Sequence, residues 1–198
     1  GRKHRVARLA VLAARLQQFG EQHLHTQQST NNLSLVYHGL GRVPQALALL
    51  PPELRPQVRH QSGAKQIDAL RANYAAAGID ADLTPFIDDT AQAYAEADLI
   101  VCRAGASTVT EIAAVGAAAL FVPFPFAVDD HQTANARFLV DQGGGWLIQQ
   151  RELTPEKLAH MLQNTSRAAL LERAQHAKSM QKLHATADVV AACEALTS

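Results

Sequence analysis

Cysteine, tryptophan and net charge are all scarce in this chain. Its 198 residues include two cysteines and one tryptophan, and 18 Lys and Arg residues are balanced by 18 Asp and Glu residues. The two cysteines, Cys102 and Cys193, fall in apolar strand and helix patterns without metal-ligand spacing, so we expect two buried free thiols. A balanced charge gives no overall electrostatic reason to expect a nucleic-acid partner.

Long apolar runs are also missing. No uninterrupted apolar segment approaches the roughly 20 residues that a membrane-spanning helix needs. The basic, partly apolar segment at residues 5–19 lacks a cleavage-site pattern and a continuous apolar core, so it does not predict a secretory signal. With 47% apolar and 18% charged residues, the chain has the composition of a folded domain with a sizeable core.

Short β-favouring runs alternate with alanine-rich helical stretches from residue 43 onward. The run LIVC at 99–102 is apolar throughout, which is typical of a strand covered on both faces. The alternation predicts an α/β domain, a Rossmann-like parallel sheet with helices on both faces. The predicted strands are 57–63, 81–87, 99–102, 118–124 and 145–150. The predicted helices are 64–78, 88–98, about 108–115 and 129–143, followed by three more, the first of which begins at 154.

The first 42 residues are less regular. The polar stretch at 17–32 has no clear period, and LSLVYHGLGR at 33–42 is compatible with a first strand followed by a glycine turn. We therefore expect an atypical leader at 1–42, either disordered or partly helical, followed by one domain at 43–198.

The strand at 99–102 leads into a candidate anion site, RAGASTVTE at 103–111. In parallel sheets, ligands bind beyond the carboxyl ends of the strands, where the N-termini of the following helices also point. A glycine and an alanine let a ligand approach the backbone, and the next three N–H groups, with the helix dipole behind them, would face a phosphate or diphosphate. The residues concerned are Gly105, Ala106, Ser107, Thr108 and Val109, preceded by Arg103.

Two interpretations of this motif are open from its spacing. Glu111 lies one turn into the helix, where a carboxylate can accept hydrogen bonds from sugar hydroxyls. Thr108 and Glu111 also stand three apart, and S/T-x-x-E is a capping box, which closes a helix start without any ligand. The motif is neither a G-x-G-x-x-G turn nor a P-loop, so it does not identify a nucleotide site by itself.

A second polar cluster, FPFAVDDHQTANA at 124–136, follows the next buried strand. Its Asp, His, Gln and Asn side chains suit three roles: metal ligands, acid–base groups, or hydrogen-bonding partners of a sugar. No second ligand pair at suitable spacing accompanies them, which disfavours a metal, and Asp129 also suits an ordinary helix N-cap. Because two successive strand ends carry polar groups, we expect one shared pocket.

The segment at 86–148 strongly resembles the C-terminal half of the MurG family, through the markers CRAGASTVTE, FVPFP and DDHQTANA. Members of that family are inverting transferases that add N-acetylglucosamine to undecaprenyl-pyrophosphoryl-MurNAc-pentapeptide, the step from lipid I to lipid II in peptidoglycan synthesis. The resemblance runs from about residue 43 to the C-terminus. It implies the GT-B fold, in which the C-terminal Rossmann-like domain holds the donor UDP-N-acetylglucosamine, and a peripheral location at the cytoplasmic face of the inner membrane.

Roles for single residues follow from the same resemblance. Ile87 would contact the uracil, Glu111 the ribose hydroxyls, and Gln132 the N-acetylglucosamine hydroxyls. The family binds its donor without a metal, so neither a metal nor another cofactor is expected. The expected binding residues are Ile87, Ala106, Ser107, Thr108, Val109, Thr110, Glu111 and Gln132, with Arg103, Gly105, Asp130, His131 and Asn135 as further candidates around them.

The sequence departs from the family pattern at its N-terminal side. The family's N-terminal domain, which holds the lipid-linked acceptor and the expected general base, has no counterpart here, so no catalytic residue is assigned. The GGSxGA turn expected after the first strand reads LVYHGLGR, and a shifted reading frame or misplaced start is our hypothesis for residues 1–42. We therefore expect a donor-binding domain that is inactive alone. The alternatives are a non-catalytic nucleotide-sugar-binding module, a truncated or frameshifted fragment, and one half of a split enzyme.

Overall fold

Within the described residues, six strands form one sheet. They are β1 (Ser34–His38), β2 (Gln57–Gln61), β3 (Asp82–Thr84), β4 (Leu99–Cys102), β5 (Ala119–Phe121) and β6 (Trp146–Leu147). All pairings are parallel, in the order β3-β2-β1-β4-β5-β6. The computed structural model describes residues 34–38 by their backbone and residues 42–196 in full, except for the side chains of Val128, Thr186 and Ala192.

Helices link the strands and complete the described part of the chain. They are α1 (Val43–Ala48), α2 (Ile67–Ala77), α3 (Thr90–Glu96), α4 (Ala106–Val115), α5 (His131–Val140), α6 (Pro155–Asn164), α7 (Arg167–Ser179) and α8 (Ala185–Ala195), with single 3₁₀ turns at Pro52–Leu54 and Val128–Asp130. None of the helices within residues 42–196 is long and apolar enough to cross a membrane.

Strand β4 shows why the sheet is covered on both faces. Leu99 and Val101 point into one apolar cluster, which also contains buried residues of α1, α2, α6 and α7. Ile100 and Cys102 point into a second cluster, under α3, α4 and α5. Side chains alternate between the two faces of a strand, so a run that is apolar at every position needs helices on both sides. The second cluster is rich in alanine, which lets its helices pack close to the sheet.

The chain reverses its direction across the sheet between β1 and β4. From β1 it builds outward through β2 to β3, then returns to pair β4 with the other side of β1 and builds outward again to β6. The register of this central pairing is Leu35↔Leu99, Val36↔Ile100 and Tyr37↔Val101. In open α/β sheets, ligands bind beside the carboxyl ends of the two strands at such a switch point.

Both edges of the sheet that the described residues form are short. Strand β3 has three residues and β6 has two. On β3, Asp82 forms an exposed ion pair with Arg59 of the neighbouring strand, at 2.6 Å. Pro85, which cannot donate a backbone hydrogen bond, follows β3 directly.

A turn of three glycines before β6 is closely packed. Gly143 has φ +77°, and a Cβ at Gly145 would lie 2.7 Å from the Ala119 carbonyl oxygen, a distance that would displace the backbone. Arg173 of α7 holds the turn: its Nη1 donates to the Gly143 and Gly145 carbonyls at 3.2 and 3.3 Å. Its guanidinium also stacks 4.1 Å from the centre of the Trp146 ring. Only glycine fits this approach of the chain to β5.

The predicted parallel sheet with helices on both faces is confirmed. Its first strand, Ser34–His38, lies within the segment predicted as a possible first strand and before the domain boundary predicted at residue 43. The rest of the predicted leader, residues 1–33, lies outside the described residues. The expectation of two buried thiols holds only for Cys102, because Cys193 on α8 is exposed.

Candidate functional site

Helix α4 starts directly beyond the carboxyl end of β4. Gly105 is its N-cap residue, in an extended conformation, and no side chain caps the helix start. The first three helical residues, Ala106, Ser107 and Thr108, have no carbonyl within the helix to which their N–H groups can donate. Ala106 and Ser107 are exposed, whereas Ala104 just before them is fully buried. Amides without a partner inside the helix, at the positive end of a ten-residue helix, are suited to bind an anion.

The capping-box interpretation is wrong, because Thr108 lies inside the helix and not at its N-cap. The predicted helix start also moves from about Thr108 to Ala106. One amide of the predicted set changes with it: Val109 N–H donates to the Gly105 carbonyl at 3.0 Å, so Ala106 N–H takes its place among the available donors. The Thr110 hydroxyl donates to the Ala106 carbonyl at 2.9 Å, within the helix.

Glu111 lies one turn further along α4 and is half-buried. Burial raises the pKa of its carboxyl group above the usual value. Burial also raises the pKa of Tyr94 and of Cys102, and the negative charge of Glu111 adds to both shifts, so the carboxylate lies near these two groups. In such surroundings the protonated form of the carboxyl group is favoured. Hydrogen bonds donated by a ligand would stabilise the charged form.

Arg103 connects the end of β4 to the loop after β5. Its Nη1 donates to the Val122 and Pro123 carbonyls at 3.1 and 3.0 Å. Its guanidinium carbon lies 5.4 Å from the centre of the Phe124 ring, and burial lowers the pKa of Arg103. Val122, Pro123 and Phe124 are therefore fixed relative to the start of α4.

The β5–α5 loop brings Gln132 and Asn135 to the same edge of the sheet. Gln132 Oε1 accepts a hydrogen bond from Phe124 N–H at 2.9 Å, which leaves its Nε2 as the group that can donate to a ligand. Asn135 Nδ2 donates to the Ala104 carbonyl at 3.1 Å. Asn135 thus holds the loop before α4 with one of the two N–H groups of its side-chain amide. The two clusters predicted to share a pocket are joined by this bond.

The two aspartates before α5 adopt an unusual backbone. Asp129 and Asp130 have φ values of 51° and 50°, in the left-handed region, and neither is a side-chain cap of α5 in the manner predicted for Asp129. Asp130 Oδ1 accepts from the Thr133 hydroxyl at 2.7 Å, and the Thr133 oxygen accepts from Gln149 Nε2 at 3.0 Å. The Asp130 carboxylate is therefore held in one orientation. His131, the first residue of α5, is exposed.

Ile87 lies in the loop between β3 and α3. Ile87 is 6% exposed, and its side chain packs in the core cluster under α3 and α4, so the side chain is not available to a ligand. Its N–H donates to Gln61 Oε1 at 2.8 Å. Sequence reasoning missed Gln61, Thr133 and Gln149. Gln61 alone had a signal, since it ends a predicted strand whose carboxyl end lies at the binding edge.

Within the described residues, no group of three or more His, Cys, Asp or Glu side chains is arranged to hold a metal. The polar groups of the site are instead a helix start, one half-buried carboxylate and several side-chain amides. Together with the 3-2-1-4-5-6 strand order, they define the class of the protein: a Rossmann-like domain with an anion site beside its switch point.

The particular family follows from comparison with known proteins. Residues 40–191 match the glycosyltransferase family 28 C-terminal domain, and the chain belongs to this family. It is 78% identical over 156 residues to the UDP-N-acetylglucosamine–N-acetylmuramyl-(pentapeptide) pyrophosphoryl-undecaprenol N-acetylglucosamine transferase of Paracidovorax citrulli, covering 79% of this chain and 44% of that one. The enzyme of the same name from a Polaromonas species is 75% identical over 154 residues, covering 78% of this chain and 40% of that one.

Solved structures agree with this assignment. The chain matches Acinetobacter baumannii MurG with a TM-score of 0.77 and 42% identity, covering 85% of this chain and 51% of that one. The glycosyltransferase VinC, solved with dTDP, matches with a TM-score of 0.54 at 19% identity and shares the fold alone. The chain thus spans less than half of the length of the relatives it matches by sequence. The fold is that of the C-terminal domain of a GT-B glycosyltransferase.

Proposed function

We propose that this chain is the donor-binding part of an inverting N-acetylglucosaminyltransferase, and that its ligand is UDP-N-acetylglucosamine. The observation that carries the proposal is the start of α4, which no side chain caps and which lies at the carboxyl end of β4 beside the switch point. A diphosphate is the part of a nucleotide sugar that such a helix start binds best. The names of the similar transferases begin with UDP-N-acetylglucosamine, and from them we take uridine as the nucleoside and N-acetylglucosamine as the sugar.

Each part of the donor has a counterpart in the site. The amides of Ala106, Ser107 and Thr108 receive the diphosphate, and Glu111 accepts hydrogen bonds from the ribose hydroxyls. The backbone of Ile87 meets the base, and Gln132 Nε2 donates to a hydroxyl of the sugar. Asp130 and His131 lie beside the sugar, whereas Arg103, Gly105 and Asn135 shape the loops, and Val109 and Thr110 only support the helix.

The reaction needs two kinds of group. The acceptor hydroxyl attacks C1 of N-acetylglucosamine, the bond from C1 to the UDP oxygen breaks with inversion, and the acceptor proton passes to a base. The helix amides stabilise the negative charge that develops on the departing UDP. In this proposal, the base and the site for the lipid-linked acceptor belong to the part of the relatives that this chain does not match. The reaction takes place at the cytoplasmic face of the membrane.

Calorimetric titration of the chain with UDP-N-acetylglucosamine tests the proposal. We expect saturable 1:1 binding, unchanged when EDTA replaces Mg²⁺, because the helix start takes the role of a cation. Affinity that depends on Mg²⁺ would contradict the metal-free site, and no binding of UDP or of the sugar nucleotide would contradict the function itself. Lipid II synthesis should be near zero for the chain alone. Binding without synthesis, also after an acceptor-binding half is added, would favour a non-catalytic module.

A further inference from the structure

Phe126 is the most exposed phenylalanine in the described part of the chain, at 82%. It lies in the loop between β5 and α5, which leads to Gln132 at the binding edge. The apolar core gains little from a ring in this position, because most of its surface stays in water. The ring is therefore available to a ligand.

The turn at residues 124–127 holds the Phe126 ring in place. Ala127 N–H donates to the Phe124 carbonyl at 3.1 Å, which closes a four-residue turn, and Pro125 at its second position fixes the backbone there. The first residue of the turn is anchored as well, because Phe124 N–H donates to Gln132 Oε1 at 2.9 Å. A side chain on such a turn loses little conformational freedom when it contacts a ligand.

Two phenylalanine rings extend from Arg103 toward solvent. The Phe124 ring lies 5.4 Å from the guanidinium carbon of Arg103, which stands at the end of β4 just before α4. The Phe126 ring packs on it at an interplanar angle of 72°, with 5.6 Å between the ring centres. This pair of rings thus lies beside the helix start that we assign to the diphosphate, and its backbone contacts the side-chain amide that we assign to the sugar.

A sugar presents both hydroxyl groups and C–H groups to a protein. The positively polarised hydrogens of the C–H groups are attracted to the negative face of an aromatic ring, whereas the hydroxyls need polar partners such as Gln132. We infer, on the basis of the proposed function, that Phe126 is an aromatic contact of the donor's sugar and raises the affinity for UDP-N-acetylglucosamine above that for UDP. Asp129 and Asp130 follow this ring with exposed carboxylates, which disfavour an anionic lipid surface as its contact.

Three variants of the full chain test this inference. Phe126→Ala removes the ring, Phe126→Tyr keeps it, and Phe138→Ala removes another exposed phenylalanine near the opposite end of α5. UDP and UDP-N-acetylglucosamine are titrated against each protein by calorimetry. The ratio of the two affinities reports on the sugar, because the two ligands share the nucleoside and the diphosphate. Sedimentation with vesicles of phosphatidylglycerol and phosphatidylethanolamine measures a contact with lipid.

We expect the unaltered chain to bind UDP-N-acetylglucosamine more tightly than UDP, and Phe126→Ala to lose roughly three- to tenfold in this ratio with its affinity for UDP unchanged. Phe126→Tyr and Phe138→Ala should both retain the ratio. If Phe126→Ala does not fold, Phe126→Leu, which keeps an apolar side chain without the ring, serves in the same comparison.

Three results would overturn the inference and leave the proposed function intact. The first is an unchanged ratio in Phe126→Ala, and the second is an equal loss of affinity for both ligands, since the ring would then act on the nucleotide. The third is vesicle binding that Phe126→Ala abolishes while the ratio stays the same, which would assign the ring to lipid. Failure of the unaltered chain to bind UDP overturns both proposals.

Discussion

Replacing Glu111 by glutamine should change stability and ligand binding in opposite directions. Burial raises the pKa of this carboxyl group above its ordinary value of 4.5, so the fold disfavours the charged form. A group with a raised pKa in the folded state contributes stability below its unfolded pKa and loses that contribution as pH rises through the folded value. At pH 7 the charge therefore destabilises the protein, and Glu111→Gln should be more stable than the unaltered chain.

The size of the binding effect follows from the contacts that the proposal gives to Glu111. Hydrogen bonds from ribose hydroxyls to a carboxylate contribute about 1.5–3 kcal/mol, because one partner is charged. Their loss corresponds to a roughly 10- to 150-fold weaker affinity for UDP. We thus expect the charge of Glu111 to lower the stability of the fold and to strengthen the binding of UDP.

Urea unfolding at several pH values and calorimetric titration with UDP measure the two effects. The stability difference between Glu111→Gln and the unaltered chain should be largest near pH 7 and should shrink as the pH falls toward 4.5. A UDP analogue without ribose hydroxyls should bind both proteins equally. Glu172→Gln, the same change at an exposed position on α7, should alter neither property. UDP affinity that survives Glu111→Gln, or a loss of stability at pH 7, would refute the reasoning.

Three further predictions concern the fold. Gly145→Ala should lower the free energy of unfolding by about 2–4 kcal/mol in urea, because its Cβ would meet the Ala119 carbonyl at 2.7 Å. Asp98→Ala should cost about 2–3 kcal/mol, since it leaves the half-buried Arg167, 2.6 Å from the carboxylate, without that partner. With a thiol reagent at pH 8, Cys193 should react in the folded protein, whereas Cys102, whose pKa is raised by burial, should react only after unfolding.

Controls separate these effects from general damage. Gly78→Ala, at a left-handed C-cap with open space around its Cβ, should cost only about 1 kcal/mol in the same urea experiment. Equal losses for the two glycine variants would contradict the packing argument for Gly145. Asp68→Ala, which removes a partner from the exposed pair with Arg71, should have little effect. Two thiols reacting at the same rate in the folded chain would contradict the burial of Cys102.

The sheet was predictable because its signals are local. The LIVC run and the alternation of strand with helix need only the period of a strand and the composition of short segments. The predicted start of α4 came two residues too late. The S/T-x-x-E spacing favours a helix start at Thr108, whereas the helix begins after Gly105, and the sequence alone does not decide between the two. The start of the sheet before residue 43 was recognised only as a possible strand, because its pattern is short.

The candidate site was predicted less completely, because its order depends on contacts between distant segments. Ile87 and Gln61 are joined across 26 positions, and Asn135 reaches Ala104 across 31. No rule of sequence spacing predicts which side-chain amide will form a hydrogen bond with the backbone of a neighbouring loop. Sequence reasoning named the residue types at the strand ends. The division between residues that hold loops and residues that remain available to a ligand came from the structure.

The short edges of the sheet have a consequence for how the chain behaves at high concentration. A strand edge can recruit a strand from another molecule, and long, flat, apolar edges promote fibril growth. Here one edge offers three residues, ends at a proline and carries a charged pair, and the other offers two residues beside a turn that tolerates only glycine. In the part of the chain that the structure describes, few backbone groups at these edges are left for an incoming strand. The two described edges thus offer little to a second molecule, while the candidate ligand-binding groups lie at the carboxyl ends of the strands.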